Sequence, residues 1–112
     1  MDCIFCKIVN GEIPANKVYE DGSVLAFHDL EPQAPVHILI IPKAHIASAA
    51  EIGEAESALA GKLFVAAAKI AAEQGLIQGF RLVTNCGESA GQSVRHLHFH
   101  LLGGRDFQWP PG

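Results

Sequence analysis

Arg95-His96-Leu97-His98-Phe99-His100-Leu101-Leu102 decides how this chain reads, because three histidines alternate with three apolar residues. A two-residue period is that of a β-strand, whose successive side chains point to opposite faces. On a strand His96, His98 and His100 share one face, while Leu97, Phe99 and Leu101 enter a core on the other. At about 3.3 Å of rise per residue, neighbouring imidazoles stand about 6–7 Å apart. Such a row can hold a metal, or act on a substrate as nucleophile and acid–base near neutral pH.

The segments before it supply the rest of a sheet. Val36-His37-Ile38-Leu39-Ile40-Ile41 is β-branched and almost wholly apolar, a central buried strand that Pro42 ends. A histidine inside it, His37, must find a partner or lose its charge. Lys17-Val18-Tyr19-Glu20 and Val24-Leu25-Ala26-Phe27-His28-Asp29 flank Asp21-Gly22, a hairpin signal. Phe80-Arg81-Leu82-Val83-Thr84 reads as a further strand. Residues 54–74 read as one long helix, with Leu59, Leu63, Ala66 and Ile70 on one stripe, Glu51, Glu54 and Glu56 at its start, and Gly75 as its stop. Residues 3–9 read as a short helical turn that points Cys3 and Cys6 the same way. One hairpin, further strands and one long helix predict a single antiparallel α+β domain over residues 1–112, with about five strands.

Composition narrows the class. The chain has 112 residues, 49% of them hydrophobic, and a formal charge of −4, so it can build a core. Its eight Lys and Arg are scattered, which argues against a nucleic-acid polymer as partner. No apolar run approaches the roughly 18 residues needed to span a bilayer. The start, Met1-Asp2-Cys3, lacks a signal-peptide pattern, so a cytoplasmic location is expected. Three cysteines do not suggest a disulfide framework. Cys3 and Cys6 can supply half of a tetrahedral zinc site, or be two small residues buried against the sheet; a redox pair lacks its βαβ context. The polar loop 85–93 contains Gly87 and Gly91, which permit close backbone approach, and such a loop can cradle phosphate. It is not a P-loop, since no Gly-Lys-Ser/Thr follows.

His96-Leu97-His98-Phe99-His100-Leu101-Leu102, with Asn85, the segment Gly91-Gln92-Ser93-Val94 and the ending Trp109-Pro110-Pro111-Gly112, resembles the histidine-triad (HIT) superfamily, and within it the Hint branch of nucleoside phosphoramidases. The resemblance spans nearly the whole chain from Ile4-Phe5-Cys6-Lys7-Ile8 onward. It implies a purine nucleoside phosphoramidase that works through a nucleotidyl-histidine. His98 would be the nucleophile, His100 would contact phosphate and leaving group, Ser93 would relay a proton, and His37 would position or proton-couple the nucleophile. Asn85, Gly91 and Gln92 would belong to the substrate site, Asp29 would bind the ribose hydroxyls, and Phe27, Leu30 and Ile8 would line the base pocket. Some relatives hold a structural zinc with a similar Cys-x-x-Cys, which here implies Cys3, Cys6, His45 and His96. The resemblance also implies a homodimer in which Trp109 reaches toward the other subunit's site. Dinucleoside polyphosphate hydrolysis, nucleotidyl transfer, or a zinc-stabilised nucleotide-binding module with little turnover are the competing readings.

Overall fold

The computed structural model describes residues 2–112. A five-stranded antiparallel sheet runs β1 (Lys17–Glu20), β2 (Val24–His28), β3 (Val36–Pro42), β5 (Phe99–Gly103) and β4 (Arg81–Val83) across its width. One helix, α1 (Ile4–Val9), lies on one face of the sheet, and α2 (Ser57–Glu73) lies on the other. Alternation along β2 and β3 explains both contacts. Val24, Ala26, Ile38 and Ile40 pack with Leu63, Ala66 and Ile70 of α2, while Leu25, Phe27, Leu39 and Ile41 pack with Phe5 and Ile8 of α1. Because β3 is buried on both faces it carries an unbroken apolar run rather than an alternating one. Each Leu or Ile at zero exposure there contributes about 1.5–3 kcal/mol.

The expected elements are present, with shifted ends. The long helix begins at Ser57, after a 3-10 turn over Glu54–Glu56 in which the Glu56 carboxylate accepts the Gly53 N–H at 2.9 Å. Its buried stripe is Leu63, Ala66, Ala67, Ile70 and Ala71, whereas Leu59 is only half-buried. Both helices end in the same way. Gly75 adopts φ +74°, its N–H donates to the Ala72 carbonyl, and Leu76 N–H donates back to Ala71. Gly11, Ile8, Glu12 and Lys7 repeat that pattern at the end of α1. The β1–β2 turn is set by a side chain, since the Asp21 carboxylate accepts both the Ser23 and Val24 N–H at 2.8 Å.

The histidine stretch is strand only from Phe99 onward. Ahead of it, Leu97 N–H donates to the Ile46 carbonyl at 2.6 Å instead of continuing the ladder with β3. The alternation survives this change. Leu97, Phe99 and Leu101 face the α2 core, and His96 and His98 lie against Phe5 of α1. No helix among the described residues is long and apolar enough to cross a membrane.

Candidate active site and metal centre

Strand register brings two histidines together from distant parts of the chain. In the β3–β5 pair His100 lies opposite Leu39, and Leu102 lies opposite His37. His37 and His100 are therefore diagonal neighbours on one face. Their Nε2 and Nδ1 atoms are 2.9 Å apart. The sequence reading coupled His37 to the nucleophile; its direct partner is His100 instead. His98 follows two residues before His100, with ring centroids 5.1 Å apart, closer than an ideal strand rise would set them. Phe5 holds the His98 ring edge-on at 5.2 Å, and the Thr84 hydroxyl donates to the His98 carbonyl at 2.8 Å.

The hydrogen-bond partners assign the tautomers of His98, His37 and His100. A carbonyl only accepts, so His98 Nδ1 carries the proton it donates to the His96 carbonyl at 2.7 Å. Its Nε2 is left with a free lone pair. Gln33 N–H donates to His37 Nδ1 at 3.0 Å, which leaves the His37 proton on Nε2. That proton goes to His100 Nδ1, with Asp29 Oδ2 3.4 Å away as a second acceptor. His100 then carries its own proton on Nε2. One cavity of about 490 Å³ is lined by His37, His98 and His100, with Ser93, Asp29 and Phe27. A bare imidazole nitrogen and a donor imidazole nitrogen thus face the same space.

Burial disfavours the charged forms of His37 and His100. It pushes His100 down to about 4, helped by His98 and His37 and opposed by the Asp29 carboxylate. His37 is lowered for the same reason, again against Asp29. Asp29, His37 and His100 also lie close enough to hold a metal. Here the Gln33 N–H argues otherwise. To free His37 Nε2 for a metal, its proton would have to move to Nδ1, where it would meet the Gln33 N–H head-on. The group is a hydrogen-bond chain.

Cys3, Cys6, His45 and His96 form a different arrangement. Cys3 Sγ to His96 Nδ1 and Cys6 Sγ to His45 Nδ1 are each 3.3 Å, Cys6 Sγ to His96 Nδ1 is 3.6 Å, and the two Nδ1 atoms are 3.2 Å apart. Ligands of a tetrahedral zinc, at about 2.3 Å for sulfur and about 2.0–2.1 Å for nitrogen, stand about 3.3–3.8 Å from one another. His96 Nε2–H donates to the Pro42 carbonyl at 2.8 Å, so its Nδ1 is bare and turned to the cluster. The donor set is a Cys/His cluster compatible with zinc. Burial and the neighbouring Cys3 hold the Cys6 thiol above its usual range, so metal binding here releases protons. His96 belongs to this cluster, which separates it from His98 and His100.

The remaining expected residues divide. Phe27, Ile8, Asp29, Ser93 and Leu30 line the cavity, Leu30 at its rim with 96% exposure. Asn85, Gly91, Gln92 and Trp109 do not line it. Two of them are occupied otherwise than expected. Gly91 N–H is used by the Glu88 carbonyl. Gln92 closes its own loop, accepting from Gly87 N–H at 2.9 Å and donating to Ala47 and Val94 carbonyls at 2.7 and 2.9 Å. Trp109 is 83% exposed. His28 lies on the cavity wall. Cys86, at the surface, has its thiol 3.4 Å from the Ser48 hydroxyl, which with the Ala50 N–H and Arg95 holds its pKa below the ordinary value. The contributions of the Gln33 N–H and the His96 and Pro42 carbonyls come from the backbone, so no residue type announced them.

Residues 10–107 match the HIT domain family. An uncharacterized HIT-like protein of Synechococcus elongatus is 55% identical over 111 residues, covering 99% of this chain and 97% of the relative. The solved structure of a HIT family hydrolase from Legionella pneumophila is 51% identical with a TM-score of 0.97, covering 99% of this chain and all of that one. A histidine triad nucleotide-binding protein from Candida albicans is 33% identical with a TM-score of 0.84, covering 99% of this chain and 85% of that one.

Proposed function

The chain belongs to the HIT domain family, and from that membership and its imidazole geometry we propose that it is a nucleotide hydrolase that splits the P–N bond of purine nucleoside 5′-phosphoramidates. The observation that carries this reading is the pair of tautomers in one cavity: bare Nε2 on His98 and Nε2–H on His100. His98 Nε2 attacks phosphorus while the bond to the amine breaks, leaving the nucleotidyl group on His98. The positive charge that develops on the His98 ring is stabilised through its Nδ1–H bond to the His96 carbonyl. The departing amine takes a proton from solvent water relayed through the Ser93 hydroxyl, while His100 Nε2–H donates to the phosphate and leaving group as charge develops. His37 keeps its Nε2–H on His100 Nδ1 throughout, which holds the His100 proton on Nε2. Water then attacks the nucleotidyl-histidine, the bond from phosphorus to His98 Nε2 breaks, the water's proton passes out through Ser93 to solvent, and the nucleoside monophosphate leaves.

Asp29 accepts the ribose hydroxyls in this reading, and Phe27, Ile8 and Leu30 receive the base. Zn²⁺ is the structural ion of Cys3, Cys6, His45 and His96, and takes no part in the chemistry. The protein acts as a homodimer joined through α2 and the β4 edge. Phe64 and Val65 on α2 and Phe80 before β4 are 56%, 55% and 45% exposed, and a sheet edge with such neighbours favours a covering partner.

Steady-state hydrolysis of adenosine 5′-phosphoramidate beside a diadenosine polyphosphate tests the assignment. Amine release by the wild type, lost by a factor of 10³ or more in His98→Ala, is expected. A preference for the polyphosphate would retain the His98 chemistry and overturn the substrate. Nucleotide binding without turnover of either compound would make this a binding module.

A further inference from the structure

The tautomer of His37, on which the His100 donor depends, is set by one backbone N–H in the exposed loop 29–35. An exposed loop is a poor holder unless something holds it. Here the C-terminal segment does so. Arg105 Nε donates to the Gln33 carbonyl at 3.0 Å, so residue 33 is fastened at both ends, by His37 on its N–H and by Arg105 on its C=O. One residue earlier the backbone of Gly104 presses on the Pro35 ring so closely that a Cβ there would sit 2.9 Å from it. Arg105 is itself braced. Its guanidinium stands 4.2 Å from the Phe107 ring centroid and its Nη1 donates to the Asp106 carbonyl. Arg81 of β4 approaches the same ring at 5.0 Å and donates to the Gln108 carbonyl.

We propose that Arg105 is a positioning residue: through Gln33 it keeps His37 in the Nε2–H form, and so keeps the Nε2–H of His100 available in the cavity. The chain of contacts is Phe107, Arg105, Gln33, His37, His100. The catalytic part rests on the phosphoramidase reading; the structural part does not. Arg105 lies outside the cavity lining, so its loss acts on the proton arrangement and leaves the substrate's own contacts in place.

The test combines two-bond ¹H–¹⁵N spectra of the imidazoles, taken without substrate, with steady-state kinetics on adenosine 5′-phosphoramidate. Wild-type His37 should show the Nε2–H pattern alone. In Arg105→Met it should become a mixture, with kcat falling about fivefold, one net hydrogen bond's worth, and KM holding within twofold. Arg105→Lys, which keeps a donor, should recover part of both. Gln33→Pro removes the N–H outright and should give the larger change, and it serves if Arg105→Met fails to fold. An Nδ1–H His37 in the wild type, or an unchanged pattern in both variants, would overturn the proposal. A changed pattern with unchanged kcat would overturn its catalytic half. A wild type inactive on phosphoramidates would sink the substrate reading, while the spectra would still decide the role of Arg105.

Discussion

Lowering the pH from 7 to 4.5 should weaken this fold through its imidazoles. His100 titrates at about 4 in the folded chain against 6.5 for an unhindered histidine, because burial disfavours its charge. A folded value below the unfolded one means that the unfolded chain binds the proton first as pH falls. Stability is therefore fully present above about 6.5 and is lost progressively as pH drops toward 4. The gap would amount to about 3.4 kcal/mol for a fully enclosed ring, at about 1.4 kcal/mol per pH unit. His100 is only about half enclosed, and solvent screening reduces the figure to about 1.5 kcal/mol. His37 and His96 are pushed in the same direction by burial. The carboxylates with shifted values, Glu20 and Asp21, are held below 4.5 and 3.8, so their contribution begins to be lost only at the acid end of this range and mostly below it. Urea unfolding at fixed protein concentration reads the effect. Because pH 4.5 still lies above the folded value, about 1 kcal/mol of this is lost by then, and with a slope of about 2 kcal/mol per molar His100 alone moves the midpoint by about 0.5 M between pH 7 and 4.5. His100→Gln should remove that share of the pH dependence and keep the rest. A variant that loses stability as steeply as the wild type would refute the reasoning that His100 is half-buried and neutral.

Three further outcomes follow from packing and thiol chemistry. Leu101 has zero exposure between the sheet and α2, so Leu101→Ala should cost about 3 kcal/mol in denaturant unfolding. Among the three cysteines, Cys86 should be alkylated first by iodoacetamide at pH 7.5, as mapped by peptide mass spectrometry, since it is exposed with a lowered pKa while Cys3 is buried and Cys6 raised. Protein purified without chelator should carry about one zinc per chain, and Cys3→Ser with Cys6→Ser should abolish it and lower the melting temperature. Metal-free wild type of undiminished stability would contradict the cluster's assignment.

The sequence made the faces of the histidine stretch legible, because Leu97, Phe99 and Leu101 do enter one core while the imidazoles turn away from it. It did not show where the strand begins, which depends on a distant bond from Leu97 to Ile46. The partnership of His37 with His100 follows from a register that no local pattern encodes. Cys3 and Cys6 declared a candidate half-site by spacing, and His96 arrives beside them because the triad precedes its own strand. His45 was reachable only through family resemblance, as an exposed histidine past the end of β3 has no local signature. Gln92 and Gly91 lie in a loop whose composition suits phosphate, yet their polar groups are used to close that loop. Composition marks a loop that can bend tightly; it does not say which of its donors remain free.

The most direct measurement is the intact mass of the protein, acid-sensitive adducts preserved, after rapid quench from adenosine 5′-phosphoramidate. The account predicts an adduct of one adenylyl group, localised by peptide mapping to His98, absent in His98→Ala and consumed by water in the wild type at the rate of turnover. Turnover with no such adduct, or an adduct on His100 instead, would contradict it.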